Sequence, residues 1–160
     1  MAWTYEAPLR DMRFVIESVL AAPNAWRTTE GFSDLDMATV EAILDSAAQF
    51  CREVLLPLNS VGDVQGCRLD EAGRVRTPDG FREAYQAFVQ AGWPGLSCAP
   101  QWGGQGLSML IDAAIREMLS ACNHAWTMYP DLLHGAYESL LGHADETLKQ
   151  RYLPRIASGE

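Results

Sequence analysis

No cluster of basic residues occurs along these 160 residues, where twelve Lys and Arg stand against twenty-one Asp and Glu for a formal net charge of −9. Nucleic-acid binding depends on neutralising phosphates, so that class of partner is excluded. No apolar run approaches the roughly eighteen residues of a membrane-spanning helix, and no membrane span is expected. Glu6, Arg10, Asp11 and Arg13 interrupt the stretch where a secretory leader would need an unbroken apolar core. A cytoplasmic location follows. The four cysteines, Cys51, Cys67, Cys98 and Cys122, contain no C-x-x-C pair and no zinc spacing, which leaves reduced thiols. His124, His134 and His143 are ten and nine residues apart, so none forms the i, i+4 pair of a helical metal site.

Apolar residues make up 48% and charged residues 21%, the composition of a globular domain that needs neither disulfides nor metal to build a core. Helical periodicity dominates from Ser33 onward and predicts an all-α, bundle-like domain over 33–160. With Ser33 as N-cap, Val40, Ile43, Leu44, Ala47, Cys51, Val54, Leu55 and Leu58 make one stripe, and Pro57 should end or bend that helix. Thr77-Pro78-Asp79 reads as the start of a second helix carrying Phe81, Ala84, Tyr85 and Phe88, with Gly92 at its left-handed end. Between them, 60–76 is glycine-rich, and short segments in it such as Arg68-Leu69 and Arg74-Val75 read as a small irregular hairpin. Trp93 to Leu107 reads as loop, and Ser108 caps a helix with Ile111, Ile115, Met118 and Cys122 on one face. A further helix is expected from near Met128, because Pro130 suits a first turn, and Asp145 caps the last. Residues 1–32 stand apart, with Leu9, Met12, Ile16 and Val19 on one face and Pro23-Asn24 as terminator.

Chemistry is sparse. Gly103-Gly104-Gln105-Gly106 follows no strand and precedes no Lys-Ser/Thr, so its spacing fits neither nucleotide-binding fingerprint; a tight turn packed beneath Trp93 and Trp102 is the better reading. Asp34 and Asp36, or Asp145 and Glu146, sit where carboxylates complement helix starts. No nucleophile lies beside an Asp–His pair in sequence, and Glu117 reads as a solvated or ion-paired carboxylate.

The strings Pro100-Gln101-Trp102-Gly103-Gly104-Gln105-Gly106 and Lys149-Gln150-Arg151-Tyr152-Leu153-Pro154, closing on Ala157-Ser158-Gly159-Glu160, resemble the N-terminal helical domain of the acyl-CoA dehydrogenases. The string Tyr5-Glu6-Ala7-Pro8-Leu9-Arg10-Asp11-Met12-Arg13-Phe14 is similar to the N-terminal extension of larger bacterial members, the 3-methylmercaptopropionyl-CoA dehydrogenase-like group. The resemblance implies an extension over 1–32 and the α-domain over 33–160, with a flavin-binding β-domain and C-terminal helical domain to follow. It also implies FAD, an acyl-CoA substrate, an electron-transfer acceptor and a homo-oligomer for the full-length enzyme, which removes two hydrogens from the α and β carbons. The flavin motifs and catalytic carboxylate belong to the later domains, so this segment would be silent alone, would bind no FAD itself, and would leave an apolar face uncovered. Carried over position by position, Trp126, Thr127, Pro130 and His134 would face the acyl slot with Tyr129 and Leu133 beside them; packing in the core is the competing reading for the aromatics. Trp126 and Tyr129 would then favour a short or unusual acyl group. CoA phosphates would be met outside this segment. The rivals are a self-sufficient helical interaction module and the same domain in an acyl-CoA oxidase or flavin monooxygenase.

Overall fold

In the computed structural model, which describes residues 4–160, seven α-helices and one two-stranded hairpin make an all-α domain. The first long helix, α3 (Met37–Phe50), is capped by Asp36, whose carboxylate accepts from the Thr39 amide at 2.8 Å. That bond holds the carboxyl below its ordinary range. Ser33, the expected cap, lies three residues earlier in a turn closed by Leu35 N–H to Phe32 O.

Pro57 does not end this helix. A wider π-turn over Cys51–Leu55 precedes it, and the chain continues as α4 (Leu56–Gln65) until Gly66 at φ 59°. The wider turn accommodates the ring that would otherwise meet a carbonyl one turn back. The expected hairpin is present, with its second strand one residue further on: β1 (Arg68–Leu69) pairs antiparallel with β2 (Val75–Arg76). Asp70 braces it, accepting from the Ala72 and Arg74 amides and from Arg76.

Helix α5 (Phe81–Gln90) begins three residues beyond the Thr77-Pro78-Asp79 signal, because Gly80 adopts φ 82° and the Asp79 carboxylate is engaged by the Gln65 side chain instead of capping. Gly92 takes the left-handed end as expected. Helix α6 (Met109–His143) starts at Ser108, whose hydroxyl accepts from Leu110 N–H, and α7 (Glu146–Ser158) starts at Asp145.

The N-terminal segment is less separate than its sequence suggests. Met12 and Ile16 from α1 (Leu9–Phe14) and its π-turn extension (Val15–Val19), with Ala22 and Trp26 from α2 (Ala22–Trp26), join the main core. Pro23 opens α2 instead of terminating α1, since Ala21 has already broken the chain at φ 47°. Val40, Leu44, Leu55, Ile111 and Met118 form the centre of that core, all fully buried. A second cluster of Cys98, Tyr137, Leu153 and Ala157 joins α6, α7 and the glycine-rich loop. Burying each large aliphatic side chain of these clusters contributes roughly 1.5–3 kcal/mol.

Candidate functional site

Helix α6 is two helices meeting at Asn123, whose φ −153° and ψ 83° are not helical. The second therefore starts at 124, and not near Met128: Asn123 is its N-cap, and Oδ1 accepts from the Trp126 amide at 3.1 Å. The same side chain donates from Nδ2 to Leu55 O at 3.2 Å, while Thr127 Oγ1 donates to Asn123 O at 2.9 Å. Asn123 is 1% exposed, so both ends of its amide are used in the core. Beside it the Cys122 thiol donates to Cys51 O in the π-turn, and the neighbouring Cys122 thiol, then burial, pushes the Cys51 thiol up.

This start sets the faces of 124–143. Trp126, Thr127, Pro130 and Tyr137 turn inward and are buried. Met128, Tyr129 and Leu132 turn outward, exposed at 60%, 67% and 76%. Their spacing is that of a single helical stripe, and apolar side chains cover it.

The six residues singled out in the sequence fall into two places. Trp126 and Tyr129 line an open groove of about 530 Å³ with Phe81, Arg82, Tyr85 and Ala125. Its aromatic wall is ordered by contact: Tyr129 meets Tyr85 edge-on at 5.0 Å, Trp126 meets Phe88 edge-on at 5.4 Å, and Trp126 Nε1 donates to Phe81 O. Desolvation, then Tyr129, raises the Tyr85 phenol, whose hydroxyl donates to Gly159 O at 2.8 Å. Thr127, Pro130, Leu133 and His134 instead line a seam on the other side, where the enclosed space is about 20 Å³. That is room for one water and not for an organic ligand.

The seam contains an ionic network that sequence reading missed. Asp112, 6% exposed, accepts from Arg116 Nε at 2.9 Å and from Ser97 Oγ at 3.3 Å. Arg116 Nη1 also donates to Asp131 Oδ1 and, at 3.4 Å, to Asp131 O, so one guanidinium joins both halves of α6. Burial works against its charge, yet Asp112 and Asp131 outweigh that and hold its pKa above the ordinary value. His134 Nδ1 lies 4.0 Å from Asp112, and its Nε2 lies 3.8 Å from Glu138. The i, i+4 spacing of Asp112 and Arg116 is the one sequence signal that pointed here.

The glycine-rich loop is occupied by its own structure. The amides of Gly103, Gly104, Gln105, Gly106 and Leu107 donate to Pro100, Ala99, Gly95, Cys98 and Leu96 carbonyls. A Cβ on Gly104 would overlap the Cys98 carbonyl, and one on Gly95 would lie 2.7 Å from Ala157 O. These five amides are spent on carbonyls of the loop itself, so the loop packs two cores together, as the turn reading expected. Glu117 is exposed in a shallow groove between α1 and α6. Among the described residues no group of three His, Cys, Asp or Glu side chains could hold a metal, and no helix is long and apolar enough to cross a membrane.

The profile of the acyl-CoA dehydrogenase N-terminal domain matches residues 37–160. The chain belongs to the acyl-CoA dehydrogenase family. It is 34% identical over 98% of its length to 3-methylmercaptopropionyl-CoA dehydrogenase of Ruegeria pomeroyi, covering 26% of that protein. It is 30% identical, over the same share of each chain, to a butyryl-CoA dehydrogenase of Syntrophomonas wolfei. Bovine mitochondrial isovaleryl-CoA dehydrogenase is 28% identical over 72% of this chain and 25% of its own. The chain thus spans about a quarter of the length of the curated relatives it matches. Both bacterial alignments cover nearly all of the chain, whereas the family profile begins at α3.

Proposed function

We propose that this chain is the N-terminal α-domain of an FAD-dependent acyl-CoA dehydrogenase, with residues 1–32 as an extension and 33–160 as the domain proper, and that it forms one wall of the acyl pocket. The observation that carries the reading is the uncovered aromatic and aliphatic surface along 125–132. A groove of about 530 Å³ lies within the usual size of small-molecule sites. Trp126 and Tyr129 line it directly, and Met128 and Leu132 are exposed on the same stretch of helix. Thr127, Pro130, Leu133 and His134 support that wall from behind.

The amides of the glycine-rich loop from Gly103 to Leu107 are bonded within the loop, which supports a reading in which the flavin is held elsewhere. FAD and the base that takes the α proton are therefore assigned to other polypeptide, and this domain alone is catalytically silent. Its contribution is to bind and orient the acyl group and to keep water from it. The full-length enzyme, a cytoplasmic homo-oligomer on this reading, passes electrons to an external acceptor.

Trp126 and Tyr129 make the groove bulky, which favours short or branched acyl groups. Turnover of acyl-CoAs of graded length by the full-length flavoprotein tests this. Short chains should be accepted best, and Tyr129→Ala should move the optimum to longer ones. A wild-type preference for the longest straight chain would refute the assignment.

A further inference from the structure

Resting on the acyl-wall reading above, we propose that Arg116 is a positioning residue for that wall, holding the Asp131 carboxylate back against the seam so that the surface between Met128 and Leu132 stays uncharged. Asp131 follows Met128 by three residues and directly precedes Leu132, which places it at the edge of the outward stripe. Its side chain is half exposed. Left to itself, a carboxylate there would have to be desolvated whenever an alkyl chain arrived, at a cost that appears directly in affinity.

Two features make this more than a surface ion pair, which is ordinarily worth little. First, Arg116 is not free to follow its partner, since its Nε is fixed on a nearly buried Asp112 that Ser97 also holds. Second, Nη1 reaches both the Asp131 carboxylate and the Asp131 main-chain carbonyl, so it sets the side chain and the helix together. The guanidinium faces two carboxylates, and the Asp112 oxygen that it bonds is also approached by His134, which faces Glu138 as well. Removing Arg116 alone would strand Asp112 in the core. Arg116→Met is therefore combined with Asp112→Asn, which leaves Asp131 as the single unpaired charge.

In the full-length flavoprotein, D112N/R116M should raise KM for a short acyl-CoA on the order of tenfold, the equivalent of about 1.4 kcal/mol, with kcat changed less than about twofold, as expected when uniform binding is lost. Adding Asp131→Asn should return KM to within about twofold of the parent, because the offending charge is gone although the clamp is still absent. A merely structural role predicts no such recovery, and a triple variant as poor as the double overturns the proposal. Leu132→Asp is the control that places a charge on the wall directly. If it raises KM while D112N/R116M does not, the clamp is refuted and the wall stands; if Leu132→Asp leaves KM unchanged, both fall. Should D112N/R116M fail to fold, Arg116→Lys decides the matter. It keeps a cation on Asp112 but has no second nitrogen for Asp131, so KM should rise about threefold and again recover with Asp131→Asn.

Discussion

Replacing Asn123 with alanine tests how the two halves of α6 are joined. The substitution removes the cap acceptor of the Trp126 amide and the donor to Leu55 O, in a side chain that is 1% exposed. Loss of an N-cap costs about 1 kcal/mol. Loss of a buried hydrogen bond that leaves its partner unsatisfied costs about 1–3 kcal/mol. Because Asn123 serves both roles, Asn123→Ala should destabilise the chain by about 2–4 kcal/mol, which for a domain of this size lowers Tm by ~4–16 °C. Asn123→Ser separates the two. Serine caps as well as asparagine but is too short to reach Leu55 O, so it should recover about 1 kcal/mol. Urea unfolding followed by tryptophan fluorescence measures all three, with m unchanged if the unfolded states are alike. An Asn123→Ala variant within about 0.5 kcal/mol of the parent would refute the claim that this side chain fixes the kink, since that is the range of an ordinary surface change.

Gly104→Ala should cost more than a loop substitution normally does, about 1–3 kcal/mol from overpacking, because the new methyl would meet the Cys98 backbone and not a yielding side chain; a Tm equal to the parent's would contradict the packing described for that loop. Stability should also fall at alkaline pH. Burial, then Asp112, raises the Cys98 thiol from 9.0 to about 11, and burial, then Cys51, raises the Tyr5 phenol from 10.0 to about 12. Both groups favour folding while neutral, so their contribution is complete below pH 9 and is lost as pH rises from 9 to 12. Cys98→Ser should make that decline shallower between pH 9 and 11 without abolishing it, because the Cys51 thiol is raised as well, and an unchanged profile would show that Cys98 carries none of it.

Most of the helices were legible because amphipathic stripes and caps are local. The stripe from Val40 to Leu55, the caps at Ser108 and Asp145 and the left-handed Gly92 follow from residue type and spacing. The errors share a cause. Ser33 and Thr77 carry good capping side chains, but a rival three residues on took the role: Asp36 bonds Thr39, and Gly80 supplies a turn that Asp79, held by Gln65, does not need to cap. Pro57 and Pro130 looked like boundaries, yet a π-turn absorbs the first and the second lies in the interior of a helix begun at Asn123. The seam of Asp112, Arg116, Asp131 and His134 was not legible as a unit, because two of its members lie on each side of a kink at Asn123 whose position the sequence did not reveal.

Residue order by itself determined the helical class, the positions of the main core stripe and, through the Pro-Gln-Trp-Gly-Gly-Gln-Gly and Lys-x-x-Tyr-Leu-Pro strings, the family. These depend on periodicity and turn chemistry, which act over a few residues. Only the tertiary structure decided which side of residues 124–143 faces outward. A start at Asn123 instead of Met128 changes which carbonyls, caps and partners hold the helix, and the angle is fixed by bonds to Leu55 and between Arg116 and Asp131, across 68 and 15 residues of chain. Helical pattern alone cannot supply that angle, because a helix carries two apolar faces here and only contact with α3, α4 and α5 selects the one that is buried.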